Sequence, residues 1–206
     1  MIILCALLLA SYQTSVAAAY ESYSDDFPEA INITEFLDTS DNIWTVITTA
    51  NDSQRCKVDK KEFINRTHYY FSRKHRGPSG FVEEKFRGKF TGSIPPFTSM
   101  EVGAIGGAPT GIEELIYQGD RNGCGVFELR NVTRVIHSPC YYLYNEPCWQ
   151  YRAFDIRVRG YGGNVSAQEC LEWFRTEYPK ETFTRVLYNN SCNDIGRLHV
   201  IVSKRQ

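Results

Sequence analysis

Apolar and polar residues alternate along much of this chain, in the pattern of strands that bury one face. Residues 81–91 are an example, because Val82, Phe86 and Phe90 share one face of an extended segment. Clusters of Gly, Pro, Asn and Asp separate such runs and predict turns. The pattern predicts about eight short strands, distributed over residues 43–49, 61–73, 81–91, around 102, 112–117, 125–129, 132–136, 151–159 and 182–188. Strands of this length and spacing form a closed barrel or a sandwich.

Helical spacing of apolar residues appears in only two places. Residues 31–37 predict a short helix that turns Ile33, Phe36 and Leu37 inward. Near the C-terminus, a longer segment that ends at Pro179 has apolar residues one helical turn apart, namely Cys170, Leu171, Phe174 and Tyr178. The chain is therefore expected to be mainly β, with one short early helix and one late helix.

The first 19 residues have the layout of a secretory signal peptide. A short apolar run at residues 2–10 precedes small residues that end in Ala18 and Ala19, which predicts cleavage near that point. The run is too short to span a membrane, and no later segment is long and apolar enough to do so. Residues 20–30 are polar and predict a loose arm, so residues 31–206 are expected to form a single domain.

Six cysteines follow the predicted leader, an even number that in an oxidising compartment predicts three disulfides: Cys56, Cys124, Cys140, Cys148, Cys170 and Cys192. Six cysteines allow fifteen pairings, and spacing alone does not choose among them. The chain also has six N-x-[ST] sequons, which predict a secreted glycoprotein: Asn32, Asn51, Asn65, Asn131, Asn164 and Asn189.

Composition excludes several classes of function. The formal net charge is -1 and the pI about 6.4, so nothing global favours binding to nucleic acid or acidic membranes. The four histidines lack metal-ligand spacing, and no nucleophile motif is present. Neither a metal, a cofactor nor a catalytic role is expected. The chain is instead rich in Tyr (13) and Phe (12), which favour strands.

Short motifs in a fixed order resemble the tick salivary lipocalins, the histamine-binding-protein family. They are residues 43–46 (IWTV), 56–59 (CKVD), 100–102 (MEV), 114–117 (ELIY), 124–127 (CGVF), 154–158 (FDIRV), 170–174 (CLEWF) and 187–192 (LYNNSC). The resemblance implies an eight-stranded antiparallel lipocalin barrel. It also implies disulfides between Cys56 and Cys192 and between Cys124 and Cys170, which leaves Cys140 to pair with Cys148.

Two faces compete for the barrel interior in residues 151–159. Phe154, Ile156 and Val158 form an apolar face, whereas Asp155 and Arg157 lie on a polar one. An ordinary soluble barrel would turn the apolar face inward. The resemblance implies the reverse, with the apolar face under the late helix and Asp155 and Arg157 directed into the cavity.

The expected ligand depends on this choice. Histamine binders of the family have an acid where this chain has Gly125, and an aromatic residue where it has Arg157, which argues against tight histamine binding. Asp155 could still anchor an amine, while Arg157 could clamp the carboxylate of a fatty acid or eicosanoid. A neutral sterol would fit the predicted apolar lining equally well: Trp44, Tyr69, Phe71, Phe86, Phe90, Met100, Tyr117 and Phe127.

The resemblance implies a function in which a secreted, monomeric salivary lipocalin sequesters a small host mediator and suppresses inflammation and immunity. The mediator would be a fatty acid or eicosanoid, a sterol or a biogenic amine. As an alternative, the outer surface would act on a host immune protein or cell, or the protein would scavenge histamine or serotonin.

Overall fold

The computed structural model describes residues 30–51, 54–78, 80–131, 152–160, 167–182 and 185–192. The predicted leader, the arm up to residue 29 and the expected Cys140–Cys148 pair lie outside these ranges. The described helices and strands are α1 (Ile33–Leu37), β1 (Ile43–Thr48), β2 (Arg55–Ile64), β3 (His68–Gly77), β4 (Gly80–Thr91), β5 (Ser99–Ala104), β6 (Gly111–Gln118), β7 (Cys124–Asn131), β8 (Arg152–Arg159), α2 (Gln168–Glu177) and β9 (Arg185–Val186).

Strands β1 to β8 form a closed antiparallel barrel. Each strand pairs with the next along the chain, and β1 pairs with both β2 and β8, which leaves no gap in the ring. Strand β9 adds to β1 at Ile47 and Thr48, beyond the part of β1 that pairs with β2. The expected eight-stranded antiparallel barrel with one early and one late helix is confirmed among the described residues.

One predicted strand is in fact two strands. The run at residues 61–73 is interrupted after Ile64 by a turn, in which Asn65 Oδ1 accepts the backbone N–H groups of Thr67 (2.9 Å) and His68 (2.8 Å). An Asn side chain that takes over backbone hydrogen bonds in this way favours a turn over continued pairing. Of the strand predicted at 182–188, the described residues contain β9, and the strand predicted at 132–136 lies outside the described residues.

Buried apolar side chains form two separate clusters, one on each side of the sheet. The interior cluster lies inside the barrel and consists of Ile33, Phe36, Leu37, Ile43, Tyr69, Phe71, Phe90, Met100, Val102, Leu115 and Phe127. The outer cluster lies between the barrel wall and two covering segments, α2 and the residues that follow β9. It consists of Trp44, Val46, Cys56, Val58, Cys124, Val126, Phe154, Ile156, Val158, Ala167, Cys170, Phe174, Tyr188 and Cys192. Strands β1, β2, β7 and β8 therefore bury both faces.

Helix α1 closes one end of the barrel. The Asn32 side chain caps it by accepting the N–H groups of Thr34 and Glu35, and the Phe36 ring packs edge-on against Phe127 with centroids 5.3 Å apart. A Cβ on Gly125 would lie 3.0 Å from the Phe36 ring. Glycine at 125, where the resembled family has an acid, is thus what lets the helix pack this closely.

Two disulfides join distant parts of the chain. Cys56–Cys192 links β2 to the segment that follows β9, and Cys124–Cys170 links β7 to α2. Both are the pairs implied by the resemblance. In the described part of the chain, neither helix has the length and hydropathy required to cross a bilayer.

Candidate ligand-binding site

Strand β8 turns its polar face into the barrel. Phe154 packs edge-on against Phe174 of α2, with ring centroids 5.0 Å apart, and Ile156 and Val158 belong to the outer cluster. On the opposite face, the Arg157 guanidinium lies 4.3 Å from the centroid of the Phe127 ring in the interior cluster. Asp155 and Arg157 are both buried. Helix α2 supplies the apolar partner for the outward face, which frees the inward face to be polar.

Six charged side chains, five of them buried and Arg73 partly buried, meet inside the barrel in what we call the charge belt. Its members come from four strands: Lys57, Asp59, Arg73, Glu113, Asp155 and Arg157. Three are cations and three are anions, so the belt is neutral as a whole. Charges removed from water are tolerated when they are paired in this way.

Arg73 binds two carboxylates at one side of the belt. Its Nε and Nη2 atoms donate to the two oxygens of Asp59 at 2.7 and 2.6 Å, and its Nη1 atom donates to Glu113 at 3.0 Å. The guanidinium also lies 5.2 and 5.4 Å from the ring centroids of Phe71 and Phe86. Arg73 thus connects the charge belt to the aromatic lining.

At the other side of the belt, Arg157 and Lys57 donate hydrogen bonds to the carboxylates. Arg157 donates to Glu113 at 2.5 Å and to Asp155 at 3.2 Å. Asp155 also accepts Lys57 Nζ at 2.9 Å and the Thr48 hydroxyl at 2.7 Å. The two residues singled out on β8 are therefore engaged with protein partners.

These contacts hold the carboxylates in their charged form. Burial alone would raise the pKa of Glu113, but Arg157 and Arg73 outweigh it and hold that pKa well below its usual value. For Asp155, the nearby Lys57 and Arg157 likewise overcome burial and lower the pKa. Burial, reinforced by Asp59, raises the pKa of the Tyr69 hydroxyl far above its usual value, so this hydroxyl stays neutral.

Six of the eight predicted aromatic and apolar lining residues lie inside the barrel. Tyr69 stacks on Phe71 and Phe71 stacks on Phe86, with centroids 4.7 and 5.6 Å apart. Phe90, Met100 and Phe127 complete this set. Together they give the interior of the barrel an apolar and aromatic lining.

Trp44 and Tyr117 were predicted to line the barrel, but both lie outside it. Trp44 packs edge-on against Tyr188 at 5.1 Å in the outer cluster. Tyr117 follows a register shift in β6, stacks on Trp173 of α2 at 4.6 Å, and donates its hydroxyl to Glu169 at 2.8 Å. Alternation alone did not place them, since Trp44 is covered by the segment that follows β9 and Tyr117 by α2.

Four belt residues were missed by the sequence analysis: Lys57, Asp59, Arg73 and Glu113. The signal was present in β2, where Val58 alternates with Lys57 and Asp59 just as Ile156 alternates with Asp155 and Arg157. Two strands with the same inverted pattern indicate polar side chains that meet inside a barrel.

Two buried polar atoms in this region have no hydrogen-bond partner among the described residues: Tyr69 Oη and Arg157 Nε. The belt is otherwise densely bonded. Unsatisfied buried donors are rare in folded proteins and call for an explanation.

A cleft of about 1000 Å³ lies beside α1 and is open to solvent. Its lining includes Asn32, Glu35, Asn65, Phe97 and Arg159, and none of the predicted ligand-binding residues. Phe97 also packs against the interior cluster. Two predicted glycan acceptors, Asn32 and Asn65, border it.

Of the six sequons, Asn164 lies outside the described residues. Asn51, Asn65, Asn131 and Asn189 are exposed, whereas Asn32 is half-buried because its side chain caps α1. Exposure is compatible with glycosylation, which remains a prediction for each of them.

Comparison with known proteins gave structural matches only. No protein-family profile and no curated protein matches the chain. Among solved structures, the siderocalin Ex-FABP, described as having dual ligand specificities, has a TM-score of 0.49 and 10% identity, covering 73% of this chain and 94% of its own. Japanin from Rhipicephalus appendiculatus, solved bound to cholesterol, has a TM-score of 0.47 and 12% identity, covering 76% and 97%.

A third match is the major allergen Per a 4 from cockroaches, with a TM-score of 0.47, 10% identity, and coverage of 72% of this chain and 82% of its own. The TM-scores are below 0.5 and the identities are close to one in ten. The barrel assignment therefore rests on the strand pairing of this chain.

Proposed function

We propose that this protein is a secreted lipocalin that binds a small lipophilic molecule inside its barrel and removes it from solution by mass action. In this proposal the molecule is a host mediator, and its sequestration blunts host inflammation and immunity. The protein performs no chemistry on the ligand.

The observation that carries the proposal is the division of buried side chains into two clusters. Because α2 covers the outer cluster, the barrel does not need to turn its most apolar strand faces inward. The interior instead combines an aromatic lining with a neutral charge belt. An eight-stranded barrel is wide enough to hold one small ligand, and an apolar lining with a few placed polar groups is typical of ligand sites.

Secretion is supported by the two described disulfides, because such bonds persist in oxidising compartments. The apolar leader at residues 2–10 supports it independently. Covalent links between distant parts of the chain also suit a protein that works outside the cell.

A biogenic amine is the less favoured ligand. An ammonium ion needs a carboxylate to replace its water, and the belt carboxylates already bind Lys57, Arg73 and Arg157. The three cations are engaged in turn, so Arg157 does not offer the free guanidinium that a carboxylate clamp requires.

The test is displacement of an environment-sensitive fluorescent lipid probe from the purified, delipidated protein, with native mass spectrometry to detect a retained ligand. Leu129→Trp adds bulk at the end of the interior away from α1, where Leu129 packs against the interior cluster. We expect it to weaken probe binding at least tenfold.

Ile105→Trp is the matched control, since Ile105 is exposed in the connection between β5 and β6. It adds the same side chain without entering the barrel and should leave the affinity unchanged. Equal probe binding by both variants, or weakening by Ile105→Trp alone, would overturn the proposal in favour of an outer surface.

A further inference from the structure

Every carboxylate oxygen of the charge belt already accepts a hydrogen bond. Arg73 bonds to both oxygens of Asp59; Arg73 and Arg157 take one oxygen each of Glu113. Asp155 receives Thr48 on one oxygen and Lys57 and Arg157 on the other. The belt therefore has no carboxylate oxygen without a hydrogen-bond partner, so the carboxylates do not require a ligand to satisfy them.

The two buried atoms here that have no hydrogen-bond partner are both able to donate. Arg157 Nε carries a hydrogen, and so does the neutral Tyr69 hydroxyl; both atoms are buried and have no partner within the described ranges. Tyr69 stacks on Phe71, and the Phe71 ring lies 5.2 Å from the Arg73 guanidinium, so Tyr69 borders the belt. A group that satisfies Arg157 Nε must be an acceptor, and the Tyr69 hydroxyl can donate to the same kind of group.

The neutrality of the charge belt also limits the charge that a ligand's head group can carry. The belt contains three cations and three anions, and an additional buried carboxylate or ammonium would carry an uncompensated charge into the interior. Such a charge is costly away from water. An uncharged oxygen accepts hydrogen bonds without that cost.

The apolar part of a ligand has a defined place beside these donors. The Tyr69 ring stacks on Phe71, and Arg157 lies over the face of Phe127. The residues that carry the two donors are thus in contact with the aromatic lining. A hydrocarbon skeleton against the rings would place its polar end at the belt.

From these observations we infer that the ligand is a neutral lipid with an oxygen acceptor, such as an alcohol, sterol, ester or ketone, and that Tyr69 and Arg157 bind this oxygen. The site discriminates against fatty acids and aliphatic amines of the same length. This inference rests on the proposed function, since it concerns the polar end of a ligand held in the barrel.

The experiment compares four probes that share a sixteen-carbon chain and differ in the head group: 1-hexadecanol, methyl hexadecanoate, hexadecanoic acid and hexadecylamine. Each is titrated against the protein at pH 7 in competition with the fluorescent lipid probe. We expect the alcohol and the ester to bind at least tenfold more tightly than the acid and the amine. Tightest binding by the acid or the amine overturns the inference.

Tyr69→Phe removes one donor while keeping the ring. We expect it to lower the affinity for hexadecanol about three- to tenfold, the range of one neutral hydrogen bond. Tyr70→Phe is the matched control, because Tyr70 lies next in β3 and packs near the exposed Phe63; it should bind as the unaltered protein does. Equal affinities of the two variants for hexadecanol would contradict the role of Tyr69.

These experiments distinguish a wrong head-group inference from a wrong proposed function. If the fluorescent probe binds but the acid or the amine displaces it best, only the head-group inference is wrong. If neither the probe nor any of the four compounds binds, the proposed function itself is wrong. Should Tyr69→Phe not fold, the order of the four head groups on the unaltered protein decides alone.

Discussion

At the scale of single residues, Arg157 is the side chain on which the interior most depends. It is fully buried, contacts Glu113 and Asp155, and covers the Phe127 ring. Removing one member of a buried ionic network leaves the other charges uncompensated, which costs more than the network contributes. The pairing therefore fixes the arrangement of the interior more than it adds stability.

Arg157→Met should lower the free energy of unfolding by about 3–5 kcal/mol, measured by urea denaturation, because Glu113 and Asp155 lose a partner. Arg152→Met on the same strand is the control; Arg152 forms its pair with Glu128 at the surface, and its loss should be about 1 kcal/mol or less.

A double variant sharpens this prediction. In Arg157→Met/Glu113→Gln the remaining belt charges are balanced again, so part of the lost stability should return. Losses that simply add would show that the two residues do not act as a pair.

The same carboxylates predict how stability varies with pH. In the folded protein the pKa values of Glu113 and Asp155 are lowered by the neighbouring cations, whereas in the unfolded chain they return to about 4.3 and 3.9. The unfolded state thus binds more protons in acid, so the stabilisation is complete above about pH 5 and is lost as the pH falls. Urea denaturation between pH 3 and 7 should show this decline, and Glu113→Gln should flatten it. Stability that rises on acidification would be incompatible with the assignment.

At the scale of elements, α2 determines which strand faces are inside. It is held to the barrel by Cys124–Cys170, by the stacking of Trp173 on Tyr117, and by Glu169, which accepts the Tyr117 hydroxyl and the Asp120 N–H. The outer cluster exists because this helix covers it.

Replacing each disulfide by a pair of alanines tests this attachment. Each pair of substitutions should lower the free energy of unfolding by about 2–5 kcal/mol. Loss of Cys56–Cys192 should cost about 1 kcal/mol more, because it spans 136 residues against 46 for Cys124–Cys170.

Hydrogen exchange separates the two variants further. Without Cys124–Cys170 the amides of α2 should exchange faster while those of β3 and β4 stay protected. If α2 kept its protection in this variant, the disulfide would not be what fastens the helix.

The sequence predicts which face of a strand lies inside the barrel when the other face of that strand is exposed to water. In β4 the alternation of Phe86 and Phe90 with polar residues identified the inward face correctly. Strands β1, β2, β7 and β8 bury both faces, so polarity alone did not distinguish inside from outside, and Trp44 was placed wrongly. Only two of the six charge-belt residues were predicted, because the partners come from strands far apart in sequence, as Arg157 and Glu113 show.

At the scale of the whole molecule, the proposal assigns one task to the barrel, its two described disulfides and the balanced belt, which is to hold a neutral ligand. A ligand that binds only the folded state stabilises it by about 2.7 kcal/mol at a concentration of one hundred times its Kd. Binding of the right head group should therefore raise the melting temperature of the unaltered protein.

The central claim is that the barrel interior binds a neutral lipid through its oxygen, and a crystal structure of the protein with 1-hexadecanol tests it most directly. The account predicts the hydrocarbon chain against Phe71 and Phe127, with its oxygen within about 3.2 Å of Tyr69 Oη and Arg157 Nε. A barrel filled by its own side chains, with the alcohol absent or held in the cleft beside α1, would contradict it.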